Sequence, residues 1–104
     1  RAHDSENSRH VGEVGAMVEL RNLRLEVLKS WEGYYGKTFL HVLKDPMGNV
    51  VVYKGSKRLR TGPNPYLDKD IQRGELVSLR CKVKAHDERE GVRQTLVERP
   101  KVIK

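Results

Sequence analysis

The chain has 104 residues, of which 37% are hydrophobic and 34% are charged, so it accommodates one small domain with a modest core. No apolar run approaches the length of a membrane span, and no membrane partner is expected. Lysine and arginine outnumber aspartate and glutamate by 21 to 14, and the net charge of +7 favours a polyanionic partner, nucleic acid above all.

Cysteine and histidine usage limits the chemistry that the chain can perform. A single cysteine, Cys81, excludes an internal disulfide and a cysteine-rich zinc site, and it fits a reducing, cytoplasmic or nucleoid-associated location. His41 and His86 could join Cys81 around a metal only by accident of folding, so no metal and no cofactor are expected. No serine–histidine–acid arrangement has a recognisable context, and the chain is predicted not to be an enzyme.

The first residues differ in composition from the rest. Residues 1–10 contain one alanine and no larger apolar side chain, which predicts a disordered lead or linker. The folded domain is therefore expected to comprise residues 11–104.

The first predicted element covers residues 16–29. Val18 and Leu20 alternate with polar residues, whereas the apolar residues that follow, at positions 23, 25 and 27, alternate in the opposite phase. A phase change of one residue inside a long strand is what a β-bulge produces. A helix competes with this interpretation because leucine, arginine and glutamate favour helices.

A β-hairpin is predicted next. Residues 37–44 and 50–54 are short apolar runs on either side of a turn at residues 45–49 that contains proline, glycine and asparagine. The preceding segment, residues 31–36, is predicted to be a loop and carries three aromatic residues and two glycines. Residues 55–74 contain prolines and glycines that exclude a continuous strand, so they form a long connection between strands 3 and 4.

Two further strands are expected at residues 75–85 and 92–102. In the first of them, alternation predicts a buried face and an opposite basic ridge. The buried face consists of Val77, Leu79, Cys81, Val83 and Ala85, and the ridge of Arg80, Lys82 and Lys84. The inward phase of the last strand stays open, because Val92 and Leu96 compete with Val97. The turn between the two strands is expected at residues 86–91.

A long bulged strand, a hairpin, a long crossover and a second hairpin predict an all-β fold, a small five-stranded Greek-key barrel of the OB-fold type. The chain resembles OB-fold modules of replication protein A and of bacterial single-stranded DNA-binding proteins. It is also similar to OB-type domains of phage or prokaryotic replication proteins. The segments that carry this resemblance are residues 10–15, 35–38, 48–54, 83–86 and 91–99.

The resemblance implies non-catalytic binding of single-stranded nucleic acid, with DNA favoured over RNA. Exposed rings suit stacking on bases, and cationic side chains suit contacts with phosphates. The predicted binding residues are Trp31, Tyr34, Tyr35, Lys37, Tyr53, Lys54, Lys82, Lys84, Arg89 and Arg93.

Several of these roles have alternatives. Trp31 could instead cap the open end of the barrel. Tyr53 and Phe39 exchange core and surface roles under a one-residue slip of register, and we interpret Tyr53 as exposed and Phe39 as core. The alternative function is a protein-interaction or scaffolding OB module, whose partners are other domains or proteins of a replication or phage assembly.

Overall fold

The computed structural model describes residues 8–103, and its folded part is a single sheet of five strands. The strands are β1 (Met17–Gly33), β2 (Gly36–Lys44), β3 (Val50–Gly55), β4 (Leu76–Arg89) and β5 (Val92–Ile103). They are arranged in the order β1-β2-β3-β5-β4, and pairing of β1 with β4 closes the sheet into a ring. The predicted all-β class and strand number are confirmed. None of the described residues forms a helix long and apolar enough to cross a membrane.

The pairing of β3 with β5 is parallel, whereas the other four pairings are antiparallel. The parallel pair is possible because residues 56–75 carry the chain across the ring between β3 and β4. The prediction of a long connection between strands 3 and 4 is confirmed.

The predicted bulge lies in the first half of β1. The pairing of β1 with β4 shifts register between Leu20 and Leu23, and Asn22 adopts a positive φ of 56° there. Leu20, Leu23 and Leu25 are all buried, so the bulge keeps both apolar phases facing the core. The segment is a strand, and the helical alternative is wrong. A second register shift, between Leu25 and Val27, was not predicted.

The core fills the inside of the ring and confirms most of the alternation expected for β4. Val77, Leu79, Cys81 and Val83 are buried, but a register shift after Val83 turns the strand. Ala85, predicted to continue the buried face, is only half-buried for that reason. In β5, Thr95 and Val97 point inward and are buried.

Both predicted loops between antiparallel neighbours are shorter than expected. The turn between β1 and β2 consists of Tyr34 and Tyr35 alone, because strand pairing continues as far as Gly33 opposite Gly36. The turn between β4 and β5 consists of Glu90 and Gly91, both at positive φ, as in the primed turns of tight hairpins. The strands therefore extend into residues 31–36 and 86–91, which the sequence analysis predicted to be a loop and a turn.

The segment before β1 packs against one side of the ring. The buried Ser8 hydroxyl donates to the Arg93 carbonyl at 2.6 Å and accepts from the Val50 amide at 2.9 Å. The Val11 amide donates to Thr95 Oγ1 at 2.8 Å. Residues 8–10 of the predicted lead are thus bonded to the sheet, and residues 1–7 lie outside the described part of the chain.

Candidate nucleic-acid interface

A shallow depression crosses the outer face of β2, β3, β5 and β4; we refer to it as the outer groove. Its volume is about 230 Å³. Leu40, Val52 and Leu96 form an apolar floor, since residues that alternate with inward-facing neighbours point outward. The lining also includes the buried Val97 and a set of cations and polar groups, namely Lys54, Lys84, Arg89, Asp87 and Gln94.

The electrostatics of the outer groove are dominated by cations. Lys54, Lys84 and Arg89 are exposed, and none forms an ion pair with any described residue. Asp87, the one carboxylate that residues 8–103 contribute to the lining, accepts a hydrogen bond from the Glu88 amide at 2.8 Å. With three cations and one carboxylate, the described lining has a net positive charge around an apolar floor.

A two-stranded arm, residues 31–38, projects beyond the ring. Pairing of β2 with β3 ends at Phe39, so the arm consists only of the ends of β1 and β2 and their turn. Tyr34 and Tyr35 at its tip are 94% and 96% exposed, and their rings meet edge to face with centroids 4.8 Å apart. Gly36 takes the positive φ of 122° next to this turn, which leaves both tyrosines on ordinary backbone.

Trp31 lies on the same side of the sheet as the outer groove. It pairs with Thr38, two residues before Leu40, and Leu40 in turn pairs with Lys54. Side chains of paired residues and of residues two apart share a face. Trp31 is 44% exposed and lies on the arm, so it does not cap the end of the ring.

Tyr53 and Lys37, which were also predicted to contact nucleic acid, lie outside the outer groove. The expectation that Tyr53 is exposed is wrong, because its half-buried ring points inward and packs against the core cluster. Val51 is buried and points inward, so Tyr53, two residues further along the strand, points inward as well. Lys37 lies on the face of the arm opposite Trp31, and its Nζ is 5.6 Å from the centroid of the Phe39 ring. Phe39 is half-buried and follows the inward phase of β2, as predicted.

The remaining two predicted cations are also outside the groove. Lys82 is half-buried on β4 beside Glu98 of β5, and Arg93 is 3.8 Å from Glu88 through its Nε. Glu88 and Arg93 are paired across the hairpin on the face opposite Asp87. Alternation therefore separates Arg93 from the groove, although the two are close in sequence.

Sequence reasoning missed the floor of the groove. Leu40, Val52 and Leu96 could not be assigned to either face of their strands, because short runs that are apolar on both faces carry no period.

The three residues considered for a metal site, Cys81, His86 and His41, each have a different structural role in the fold. Cys81 lies in the core, and burial raises the pKa of its thiol to about 11, which keeps it protonated at neutral pH. The His86 ring stacks on His10 with centroids 4.3 Å apart, and its Nε2 donates to the Gly12 carbonyl. His41 is buried between β2 and the start of the connection.

His41 fastens the connection to the ring. The Leu59 amide donates to His41 Nε2 at 3.2 Å, which leaves Nδ1 to donate to the Tyr53 carbonyl at 3.4 Å. Burial lowers the pKa of His41, the bond to Tyr53 opposes this shift, and the nearby charge of Arg58 adds to it. The neutral imidazole is thus the form that the fold requires.

Stability should fall with decreasing pH because of His41. With a pKa lowered in the folded state, this contribution is complete above the ordinary value of 6.5 and is lost as pH falls from there towards the folded-state pKa. Urea denaturation at a series of pH values measures the effect, with His41→Gln as a non-titrating comparison. A pH dependence in His41→Gln as steep as in the parent chain would contradict this assignment.

Comparisons of the chain with protein-family models, with curated protein sequences and with solved structures found no match.

Proposed function

We propose that this domain is an OB-type Greek-key barrel that binds single-stranded nucleic acid, DNA in preference to RNA, without catalysing a reaction. The ring order, with β3 parallel to β5, supports the fold assignment. In that architecture the ligand face spans strands 2 and 3 between the β1–β2 and β4–β5 loops. The lining of the outer groove includes Leu40 of β2 and Val52 and Lys54 of β3, which supports this assignment.

The observation that carries the proposal is the exposed tyrosine pair at the tip of the arm, whose strand β2 leads back to the cationic outer groove at Leu40. Two large rings that are almost completely in water bury almost none of their apolar surface in the fold. Unpaired bases offer flat apolar faces to such rings, and the phosphates between the bases suit cations such as Lys54, Lys84 and Arg89. Bases of a single strand would thus find rings on the arm, and its phosphates would find cations in the outer groove.

Fluorescence anisotropy with a labelled oligothymidine tests the proposal directly. Binding should weaken steeply as salt is added, because phosphate contacts release counterions. Absence of binding at low salt would end the proposal. A matching oligouridine then tests the preference for DNA, which requires the tighter complex with the deoxyribose strand.

Removing two groove cations should flatten the salt dependence. We expect Lys54→Gln with Lys84→Gln to reduce the slope of log affinity against log salt by about 1.4, since each phosphate contact with a single strand contributes about 0.7. The control variant carries Arg21→Gln and Lys69→Gln, which remove the same charge at exposed positions outside the groove. An equal decrease in both variants would show that only net charge matters.

The second candidate is a protein-interaction module, and a different surface favours it. Tyr66 and Leu67 in the connection are 92% and 78% exposed. The Asn64 side chain fixes the turn that presents them by accepting from both of their amides, at 2.8 and 3.1 Å. Tyr66→Ala with Leu67→Ala should leave oligonucleotide binding unchanged and abolish capture of a protein partner if this surface holds one.

A further inference from the structure

A second basic concavity lies between the end of β3, the connection and the end of β5; we refer to it as the connection pocket. Its volume is about 340 Å³, at the small end of the ~300–1,000 Å³ range of small-molecule sites. Of the residues that the structure describes, four cationic side chains and no carboxylate line it, and these cations are Lys57, Arg58, Arg60 and Lys101. The pocket does not share any lining residue with the outer groove.

The wall of this pocket is held in place by hydrogen bonds. The Ile71 amide donates to the Leu59 carbonyl at 2.8 Å, and Thr61 Oγ1 donates to Asp68 Oδ1 at 3.0 Å. The Leu59 amide is itself anchored to buried His41. A wall tied at several points keeps its cations positioned before any ligand arrives, which reduces the entropy lost on binding.

The four cations divide into two kinds. Arg58 and Arg60 approach Asp70 at 3.6 and 3.2 Å, so their charge is partly neutralised within the fold. Lys57 and Lys101 are exposed and form no ion pair with any described residue. Two lysines facing one concavity without a counterion constitute an anion site, and phosphate is an anion that lysine and arginine clusters bind well.

The rest of the lining is apolar. The Tyr53 ring forms part of the wall, and its hydroxyl lies over Gly55 so closely that a Cβ there would be 2.3 Å from the oxygen. Pro63 and Pro100 also line the pocket with rigid, non-donating surfaces. A ligand that fills this pocket therefore needs a flat or apolar portion as well as an anionic group.

We propose that the connection pocket binds a phosphate monoester carried on a nucleoside, at a site separate from the outer groove. The phosphate contacts Lys57 and Lys101, and the sugar and base pack against Tyr53 and the two prolines. Two sources carry this chemistry, a free nucleoside monophosphate and the 5′-phosphorylated end of a nucleic-acid strand. The proposal does not depend on the function assigned to the outer groove.

Backbone amide NMR shifts test the proposal on the intact chain. Thymidine 5′-monophosphate is titrated first, then inorganic phosphate, then matched short oligothymidines with a 5′-phosphate or a 5′-hydroxyl. We expect the monophosphate to shift the amides of residues 56–62 and of Lys101. Lys57→Gln with Lys101→Gln should weaken that binding by at least about tenfold, because each charge-assisted hydrogen bond lost is worth about that factor. Arg21→Gln with Lys69→Gln is the matched control and should bind as the parent does, because it removes the same charge at exposed positions that line neither the connection pocket nor the outer groove.

The different ligands separate the two sources. Shifts of these amides by the free monophosphate support a soluble nucleotide, and shifts confined to the 5′-phosphorylated strand support the strand end. If inorganic phosphate binds with the same affinity as thymidine 5′-monophosphate, the base and sugar contribute nothing to binding. That result would overturn the proposal that the ligand is a nucleoside. Absence of shifts with every ligand, or shifts unchanged in the Lys57/Lys101 variant, overturns the whole. Binding of the 5′-hydroxyl strand tests the outer groove independently.

Discussion

Replacing Tyr34 and Tyr35 by alanine should weaken binding of a short oligothymidine by about 30-fold or more. Each base stacked on a ring contributes about 1–3 kcal/mol, and 1.4 kcal/mol corresponds to a factor of ten. The two rings are 94% and 96% exposed at the tip of the arm, so their removal disturbs no packed neighbour apart from each other. Fluorescence anisotropy at a fixed low salt concentration measures the loss.

Two comparison variants make this result specific. Tyr34→Phe with Tyr35→Phe keeps both rings and should retain most of the affinity, because stacking needs the ring and not the hydroxyl. Tyr66→Ala removes an equally exposed tyrosine from the connection and should have little effect. Affinity that survives the double alanine change would remove the arm from the binding surface and favour the protein-interaction alternative.

Leu79→Ala should destabilise the fold by about 2–5 kcal/mol, the usual range for a buried leucine in a core that cannot collapse around the cavity. Leu79 is completely buried inside the ring and pairs with Leu20 of β1 on one side and with Val102 of β5 on the other. The free energy of unfolding of a small domain is about 5–15 kcal/mol in total, so this substitution removes a large part of it. Urea denaturation monitored by circular dichroism gives the difference.

Leu67→Ala is the matched control for the core substitution. Leu67 is 78% exposed in the connection, and we expect its replacement to change the free energy of unfolding by less than about 0.5 kcal/mol. Equal effects at positions 67 and 79 would mean that the ring does not enclose the core described above.

Alternation made the two longest strands predictable. In β4, every second residue from Val77 to Val83 is buried, and the pattern is long enough to exclude a helical period. In β1 the sequence also disclosed the bulge, because the apolar phase changes between Leu20 and Leu23. Both inferences rest on burial of one face only, which is the condition under which a period of two is visible.

The site was less predictable, because its strands are apolar on both faces. In such strands, alternation does not show which face is buried. The outer face of β3 is nearly as apolar as its inner face, so the sequence could not assign Tyr53 to the core or Val52 to the groove. Glycines next to aromatic residues predicted a long first loop, but pairing of Trp31 with Thr38 extends the strands to the tip. Register and turn geometry, which depend on the partner strand, decide both points.

The closed order of the strands has a consequence for how the chain acquires its structure. Val18 pairs with Cys81, and Val51 with Thr95, so neighbours in the sheet come from distant parts of the chain. Non-local pairing of this kind places folding in the millisecond-to-second range rather than among fast helical proteins. During synthesis, a chain that still lacks β5 leaves β3 and β4 with open edges that can recruit other polypeptides. The sheet can therefore close, and its open edges can be covered, only after β5 has left the ribosome.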